Sequence, residues 1–404
     1  MSAHAPVEMR FATGEVLSTW SDLSIKESFL DPLGSYEFTV SVPRERRAEH
    51  RALLAKGRKV VIAINGAQQA TPIITRVAEK LDKNGHSFSV QCKSLLATAH
   101  EGCVDPTVSA SVKADTAASE LVLKALSPYG FDSIDADATA LASALTGMSV
   151  AGRGPNVDVA ELKHKDAQAQ PGEAAYPFCA RIFSRLGVAL RVDENGALIL
   201  CRPDYSQRAI ATLVQDTDLS HAGDRMLADT GITVEATNDG AFSEYVVSGK
   251  SPDQYGQTSC GATEGGIIID GATRPTSAPF GTTPLKTIPA GRHTYSAPDA
   301  PFKPRYRLDK KARDKARCEG IAQLMFGVHS SNAWRMKCAV QGLVSATGAV
   351  WTVDTIVRVF AADLGVDEEL WVLEVERQVS RDRGATTSLT LIPKGALVLG
   401  EEGG

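Results

Sequence analysis

Three residues with metal-binding side chains lie close together in the sequence. Cys92, His100 and Cys103 could supply three ligands to a zinc ion, because thiolate sulfur and imidazole nitrogen are donors that zinc prefers. Their spacing matches no structural zinc pattern, and no fourth ligand lies nearby in the sequence. We therefore predict that Cys92 is a buried thiol on a strand, that His100 and Cys103 lie in loops, and that none of them binds a metal.

One pair of carboxylates has the spacing of neighbours on a single strand face. Glu374 and Glu376 are two residues apart, and two convergent carboxylates can act as general acid and general base. The alternating residues Leu373 and Val375 are apolar and occupy the opposite face of such a strand. A solvated outer face is therefore the favoured interpretation, rather than a catalytic pair.

The remaining catalytic motifs fail on inspection. Gly249-Lys250-Ser251 ends like a phosphate-binding P-loop, but the glycine that this loop needs five residues earlier is Glu244. The sequence has no Gly-x-Ser-x-Gly nucleophile elbow and no cysteine–histidine signature. We therefore predict no catalytic residues, no cofactor and no metal site, and we expect a protein that is not an enzyme.

The composition is that of a soluble globular protein of 404 residues. Since 43 lysines and arginines face 48 aspartates and glutamates, the net charge of −5 argues against bulk nucleic-acid binding. The longest apolar runs fall far short of the roughly 18 residues that a membrane span needs, and the N-terminus lacks the apolar core of a signal peptide. Seven cysteines without a CxxC pair indicate reduced thiols of a protein made in the cytosol.

Alternation of apolar and polar residues dominates the first hundred residues. It predicts a strand over 36–42, a strand over 60–64 that ends at the Asn65-Gly66 turn, and a hairpin of strands 73–81 and 86–92. Five or six short antiparallel strands in this length predict that 1–100 form a first β-barrel domain.

The next segment changes to helical periodicity. Apolar spacing predicts helices over 115–126 and 173–186, and a hairpin follows over 188–201. We therefore assign 101–215 to a small α+β middle domain.

Residues 251–304 interrupt the last part of the chain. They are rich in proline and glycine with little periodicity, which predicts a long insertion loop. After it we expect a helix over 305–328. Strands are expected at 232–235, 245–247, 334–340, 351–359, 371–375 and 387–391.

These elements assign 216–250 and 305–400 to a second β-barrel domain that carries a helix. The predicted fold class is therefore mainly β with α+β elements, namely two tandem antiparallel β-barrel domains plus a small α+β domain.

Positive charge is concentrated at the start of the predicted helix. Arg305, Arg307, Lys310 and Arg313 are our candidates for a partner interface, because local positive charge in a net-negative chain can orient an acidic protein partner. A solvated helix surface is the simpler interpretation of the same residues.

The order and spacing of several segments resemble a known family. In the C-terminal part these are Arg305-Tyr306-Arg307 and the segments 334–342, 348–354, 369–375 and 381–393. Earlier parts of the same pattern are 91–97, Pro171-Gly172-Glu173, 186–188, 195–198 and 242–250. The sequence resembles the baseplate hub family of contractile-tailed phages, the phage Mu-type tail proteins related to late control protein D. The insertion at 251–304 and a segment at about 135–165 depart from the pattern.

The resemblance implies a structural protein that assembles with other proteins. It implies two tandem barrels per subunit and a homotrimer whose six barrels form a ring. One side of the ring would contact the hexameric tail tube protein and the other the trimeric central spike protein. Other baseplate proteins would complete the virion tail baseplate, assembled in the host bacterial cytoplasm, without nucleic-acid binding or membrane insertion.

Two alternatives stay open at the level of sequence. A cell-wall (peptidoglycan) hydrolase or glycan-active tail component would need carboxylates that converge in a groove. The hub portion of a type VI-like injection machine would share the barrel layout with a phage hub.

Overall fold

Strands are the main regular secondary structure of the described residues, with short helices between them. The computed structural model describes residues 7–82, 85–110, 118–136, 169–184, 188–215, 217, 220–237, 242, 244–248, 267–269, 286–288, 290–294, 303–308, 318, 322, 325, 333–380 and 384–397.

Eight strands and one helix form the first segment and enclose one apolar core. They are β1 (Val7–Phe11), β2 (Val16–Leu17), β3 (Asp22–Ser28), β4 (Ser35–Ser41), a 3-10 turn (Arg44–Arg46), α1 (Arg47–Leu53), β5 (Val60–Ile64), β6 (Ala67–Ala70), β7 (Ile73–Asp82) and β8 (Gly85–Lys93). One sheet has the order β2-β1-β5-β6. The strands β3, β4, β8 and β7 lie, in that order, at one end of a longer sheet. An isolated bridge between Lys59 and Ile73 connects the two sheets.

The predicted strands of this segment are confirmed. On β4, Tyr36, Phe38 and Val40 are buried and alternate with exposed or half-buried neighbours, as period-two alternation requires. Asn65 and Gly66 both adopt positive φ, which gives the tight turn between β5 and β6 its geometry.

A small helical unit follows the first segment. Its elements are α2 (Leu96–Glu101), α3 (Pro106–Ala110), α4 (Ala118–Leu126), a 3-10 turn (Ser127–Tyr129), β9 (Ile134–Ala136), α5 (Ala175–Ser184), β10 (Ala189–Val192) and β11 (Leu198–Cys201). Phe178 and Ile182 on α5 pack with Leu121 and Val122 on α4, because each helix turns one apolar stripe inwards. The two predicted helices and the hairpin β10–β11 are therefore present.

The rest of the described chain contains twelve strands. They are β12 (Ala209–Gln215), β13 (Asp224–Met226), β14 (Thr233–Ala236), β15 (Glu244–Ser248), β16 (Ile267–Ile269), β17 (Lys286–Ile288), β18 (Ala290–Thr294), β19 (Pro304–Leu308), β20 (Trp334–Gln341), β21 (Ile356–Ala361), β22 (Val366–Ser380) and β23 (Gly384–Pro393), with 3-10 turns at Ala228–Thr230 and Ala362–Leu364.

Six of these strands close into a barrel. The order is β20-β13-β12-β21-β22-β23, and β23 returns to β20. Four of the six pairs are antiparallel, whereas β12 is parallel to both β13 and β21. Met336, Val359, Leu370 and Leu391 are fully buried inside, because alternate side chains of each strand point to the barrel interior. The predicted mainly β fold is confirmed, with one closed six-stranded barrel beside other sheets; the two parallel pairs depart from the predicted antiparallel barrel, and a second closed barrel stays a prediction.

One predicted helix is wrong at its start. Residues 304–308 form strand β19, which pairs in parallel with β15, while β18 pairs with β15 on its other side. Tertiary pairing with the apolar strand β15 decides the conformation here, and it outweighs the local pattern that favoured a helix. Further along the predicted helix, Cys318, Ala322 and Met325 are helical and pack on Tyr245 of β15.

The sheets do not follow the predicted segment limits at every point. β12 lies within the predicted middle segment 101–215 and pairs with strands of the closed barrel. β15 lies within 216–250 and pairs with β18 and β19 in a separate sheet, and the 251–304 segment contains β16, β17 and β18. The division of the chain into independently folding domains stays a prediction.

Candidate functional site: the junction between the two barrel segments

Strand β22 connects the two barrel segments, which are the first segment (β1 to β8) and the closed barrel of β12, β13 and β20 to β23. Its first half pairs with β21, from Val366 to Trp371, and its second half pairs with β3, from Glu374 to Ser380. Along its other side β22 pairs with β23 from Leu370 to Ser380, which spans the point where its partner changes. The last segment of the chain and the first are therefore joined by a continuous hydrogen-bonded sheet.

A bulge marks the point where β22 changes partner. The pairing register shifts between Val372 and Glu374, and a bulge bends a strand and leaves backbone groups to be satisfied from elsewhere. Phe29 donates its backbone N–H to the carbonyl of Leu373 at 2.9 Å, and Asp354 donates to the carbonyl of Val372 at 3.0 Å. Residues on both sides of the junction thus fix the bulge.

A fully buried cation lies in the shared half of β22. Arg377 has no exposed surface; its Nη1 lies 2.8 Å from Glu27 Oε2, and its guanidinium also donates to the carbonyl of Trp351. Tyr36 donates to the other oxygen of Glu27 at 3.2 Å, and burial raises the pKa of Tyr36 well above its usual value. The ion pair therefore joins β3 of the first segment to β22 and to the loop before β21.

Asp354 forms a second polar connection beside the bulge. Its Oδ1 accepts from the indole N–H of Trp371 at 2.8 Å and from the backbone N–H of Asp204 at 3.0 Å, and its carbonyl accepts from Gln207. Its φ of 61° lies in the left-handed region, which aspartate and asparagine tolerate better than most residues. Asp354 thus attaches the segment after β11 to the closed barrel.

Apolar side chains from three segments fill the space around this connection. Trp371 packs edge-on against Phe29 at 5.0 Å and against Tyr205 at 5.7 Å between ring centroids. Arg191 of β10 lies 4.8 Å above the Phe29 ring, and the Tyr205 hydroxyl donates to the carbonyl of Leu397. The junction is a packed core, and it holds the two barrel segments and the helical unit in one arrangement.

We expect Asp354→Asn to remove a pH dependence of stability. Burial raises the pKa of Asp354 above its ordinary value of 3.8, so the folded chain binds this proton more tightly than the unfolded chain does. Asp354 therefore favours the folded state most at low pH, and this contribution is lost as pH rises through the raised pKa. Asparagine keeps the acceptor oxygen and tolerates the left-handed backbone.

Urea unfolding of both proteins between pH 3 and 8 measures this difference. The unfolding free energy of Asp354→Asn minus that of the natural chain should rise with pH through the acidic range and then become constant. Asp354→Ala serves as the matched variant, since it removes the acceptor and should be less stable at every pH. A pH-independent difference for Asp354→Asn would contradict the assignment.

The two candidate partner residues that the structure describes lie in a different sheet from this junction. Arg305 and Arg307 are on β19, and the Arg305 guanidinium lies 5.1 Å from the centre of the Phe242 ring, next to Lys303 at 4.9 Å. The other two candidates, Lys310 and Arg313, lie outside the described residues. Their role as partner contacts stays a prediction.

The carboxylate pair lies on the outer face of the shared sheet, as predicted. Glu374 accepts hydrogen bonds from Ser28 and Thr390, and Glu376 accepts one from Gln378, so each carboxylate is held by its own sheet neighbours. Both line a shallow cavity of about 190 Å³.

The predicted positions of Cys92 and His100 have different outcomes. Cys92 is buried on β8, where burial raises its pKa to about 12, as expected for a structural thiol. His100 lies in α2 rather than in a loop, so that part of the prediction is wrong; Leu96, Ala97 and Ala99 are buried and form the apolar side of this helix. Among the described residues no three potential ligands come together to hold a metal ion.

None of the helices in the described part of the chain has the length and hydrophobicity that a membrane span needs.

Sequence reasoning missed Arg377, Glu27 and Asp354. A signal for Arg377 was present, because continuing the alternation of Val375 and Val379 places this cation on the buried face of β22. A charge at such a position indicates a buried partner. No comparable signal identifies Glu27, whose partner is 350 residues away.

Comparison with known families and structures adds to this geometry. Residues 7–94 match the family model of the N-terminal part of Mu phage baseplate assembly protein GpP-like proteins. This segment, hereafter the GpP-like domain, is similar to the N-terminal domain of those proteins. The resemblance to Mu-type baseplate proteins is thereby confirmed. The GpP-like domain contains β3, the strand that carries Glu27 and pairs with β22.

Solved structures share the fold over nearly the whole chain. A tail protein from Neisseria meningitidis MC58 is 17% identical with a TM-score of 0.69, and the match covers 98% of each chain. A 43 kDa tail protein of prophage MuSo2 from Shewanella oneidensis is 14% identical with a TM-score of 0.67, covering 97% of this chain and 99% of the other.

A more distant structure with the same fold comes from a secretion machine. The E. coli c3393 protein, a component of the type VI secretion system similar to T4 tail proteins gp27 and gp5, is 9% identical with a TM-score of 0.50. That match covers 99% of this chain and 78% of the other. At these identities the likeness establishes the fold. Comparison with curated protein sequences finds no significant match.

Proposed function

We propose that this chain is a structural hub of a contractile phage or phage-like tail baseplate. Three copies would form a ring that adapts the hexameric tail tube to the trimeric central spike, and the chain would have no enzymatic role. The observation that carries the proposal is the shared strand β22, which fixes two barrel segments in one rigid arrangement. The GpP-like domain at residues 7–94 supports the same assignment.

A hub requires rigidity and large protein surfaces rather than a catalytic centre. The buried ion pair of Arg377 and Glu27 and the packed core around Trp371 supply the rigidity. The two glutamates that a hydrolase would need are held by hydrogen bonds within one sheet face. Assembly would take place in the host bacterial cytoplasm, and the assembled chain would reside in the virion tail.

The type VI-like alternative has one specific observation in its favour. The E. coli c3393 protein shares the fold over 99% of this chain and is a secretion-system component. A phage origin is favoured by the family match and by the higher TM-scores of the two tail proteins. Genes for a tail sheath, a tube and a tape measure next to the gene for this chain would favour a phage tail or a type VI-like machine over a hydrolase.

Sedimentation of the purified chain, alone and mixed with the tube and spike proteins encoded beside it, tests the proposal. We expect a species of three 42.9 kDa chains that binds both proteins. A chain that stays monomeric in the mixture and binds neither protein would overturn the hub assignment. Turnover of peptidoglycan by the purified chain would establish the hydrolase instead.

Charge reversal tests the basic strand as a partner surface. We expect Arg305→Glu with Arg307→Glu to weaken binding of an acidic baseplate partner by about tenfold or more, since attraction becomes repulsion at the contact. Lys310→Glu with Arg313→Glu should act in the same direction. The matched control is Lys56→Glu with Arg208→Glu, which changes the net charge equally at two exposed residues elsewhere. Equal binding by all variants would refute this surface.

A further inference from the structure

The small sheet that carries Arg305 and Arg307 has an open edge. In the strand order β18-β15-β19, β19 (Pro304–Leu308) is the last strand, and within the described residues it pairs only with β15. Backbone N–H and C=O groups on the outer side of such a strand can pair with another extended segment. This edge belongs to a separate sheet from the junction at β22.

One face of β19 exposes apolar side chains. Tyr306 is 67% exposed and Leu308 is 44% exposed, and they are two of the six large apolar or aromatic side chains that are exposed among the described residues. Because side chains alternate along a strand, both lie on the same face as Val246 of β15, the residue paired with Tyr306. Exposed apolar side chains on an edge strand indicate a surface that is covered in an assembly.

The opposite face of the same strand carries positive charge. Lys303, Arg305 and Arg307 occupy alternate positions, and residues 303–308 contain these three cations and no carboxylate, in a chain whose net charge is −5. The centre of the Phe242 ring lies 4.9 Å from the Lys303 ammonium and 5.1 Å from the Arg305 guanidinium, so one ring holds two of the cations in place. Cations that are already positioned lose less conformational entropy when a carboxylate binds them.

These charges also determine which segment can pair with the edge. If β19 of a second copy paired antiparallel through Tyr306, Arg305 of each copy would lie opposite Arg307 of the other, and like charges directly opposite are destabilising. A segment with two carboxylates two residues apart places one carboxylate opposite each arginine and its middle residue opposite Tyr306. An apolar residue at that middle position covers the exposed ring.

We infer that β19 accepts an added strand from another tail protein, namely an extended segment in which two carboxylates flank an apolar residue. The inference rests on the proposed baseplate role and specifies one contact within it. The backbone of the added strand would continue the sheet, while the arginines and Tyr306 select its sequence. This contact recognises an extended acidic segment rather than a flat acidic surface.

Photo-crosslinking in assembled tails tests the contact. Benzoylphenylalanine at position 306 should form a covalent product with another protein of purified tails on illumination. Mass spectrometry should find that the linked peptide contains two carboxylates two residues apart. Benzoylphenylalanine at position 364 is the matched control, since Leu364 is also exposed but lies in the turn between β21 and β22, and it should not link to that peptide.

The other outcomes separate this inference from the hub assignment. Tails that contain the chain but give no product from position 306 would refute the added strand and leave the hub assignment standing. A product only within the chain, or only with a second copy, would have the same meaning. A linked peptide without the paired carboxylates would refute the recognition by Arg305 and Arg307. Purified tails that lack the chain would refute both proposals.

Substitutions on the apolar face of β19 provide a second test. Tyr306→Ser with Leu308→Ser should weaken binding of the linked protein by about tenfold, because contacts on one face are lost while the arginines remain. Val16→Ser with Leu364→Ser is the matched control, since it removes two exposed apolar side chains elsewhere and should bind as the natural chain does. The melting temperature should change little in both variants. Equal binding by both variants and the natural chain would refute the apolar contact.

Charge exchange tests the pairing of arginines with carboxylates. Lysines in place of the two carboxylates of the linked peptide should weaken its binding to the natural chain, since like charges then lie opposite each other. The same lysines should restore binding to Arg305→Glu with Arg307→Glu, because the opposite pairs are formed again with reversed sign. A combination of both changes that binds no better than either alone would contradict the pairing.

Discussion

Replacing Arg377 with alanine is expected to destabilise the protein by about 3–5 kcal/mol. The substitution leaves the carboxylate of Glu27 without its cation in a site where that side chain is only 16% exposed, and it removes the donors to the Trp351 carbonyl. Since the ion pair joins β3 to β22, the substitution should mainly weaken the contact between the barrel segments. The midpoint of urea unfolding measures the effect.

A double-mutant cycle separates the ion pair from the loss of packing. Arg377→Met fills most of the volume without charge, and combined with Glu27→Gln it removes both charges at once. We expect the double variant to be more stable than Arg377→Met alone, because the unpaired buried carboxylate is gone. A double variant whose loss equals the sum of the two single losses would show that the charges do not interact.

Trp371→Ala is expected to cost about 3–5 kcal/mol and to loosen the helical unit from the barrel. Trp371 is fully buried, contacts Phe29 and Tyr205, and donates its indole N–H to Asp354. Truncation opens a cavity where three segments meet and leaves the Asp354 carboxylate with one donor fewer. The unfolding free energy reports the total effect.

Limited proteolysis locates the effect of this substitution. In Trp371→Ala, cleavage between β11 and β12 should become faster, because this connection is held by Tyr205 and by the backbone bonds to Asp354. Trp351→Ala is the matched control, since Trp351 is equally buried but packs inside the closed barrel. It should lower stability without selective cleavage at that connection. Equal cleavage patterns in both variants would contradict a junction role for Trp371.

Local pattern was sufficient for the elements whose faces differ in polarity. β4 and β8 alternate strictly, and the Asn65-Gly66 pair specifies its turn, so these elements follow from the sequence alone. β19 does not, because its conformation depends on pairing with β15 rather than on its own residues.

The junction could not be predicted, because it joins residues that are distant in the chain. Pairing of β3 with β22 connects positions about 350 residues apart, and nothing in the sequence of either strand identifies the other as its partner. The left-handed conformation of Asp354 likewise depends on the donors that surround it. Such contacts follow from the assembled fold, whereas alternation is a property of each strand.

The sharing of β22 has a mechanical consequence. A force that separates the two barrel segments along the strand axis acts on seven register pairs between β22 and β3 in shear. All of these hydrogen bonds then carry load together, whereas a force across the strands would break them one after another. The contact between the two barrel segments is thus most resistant to a force applied along the direction of these strands.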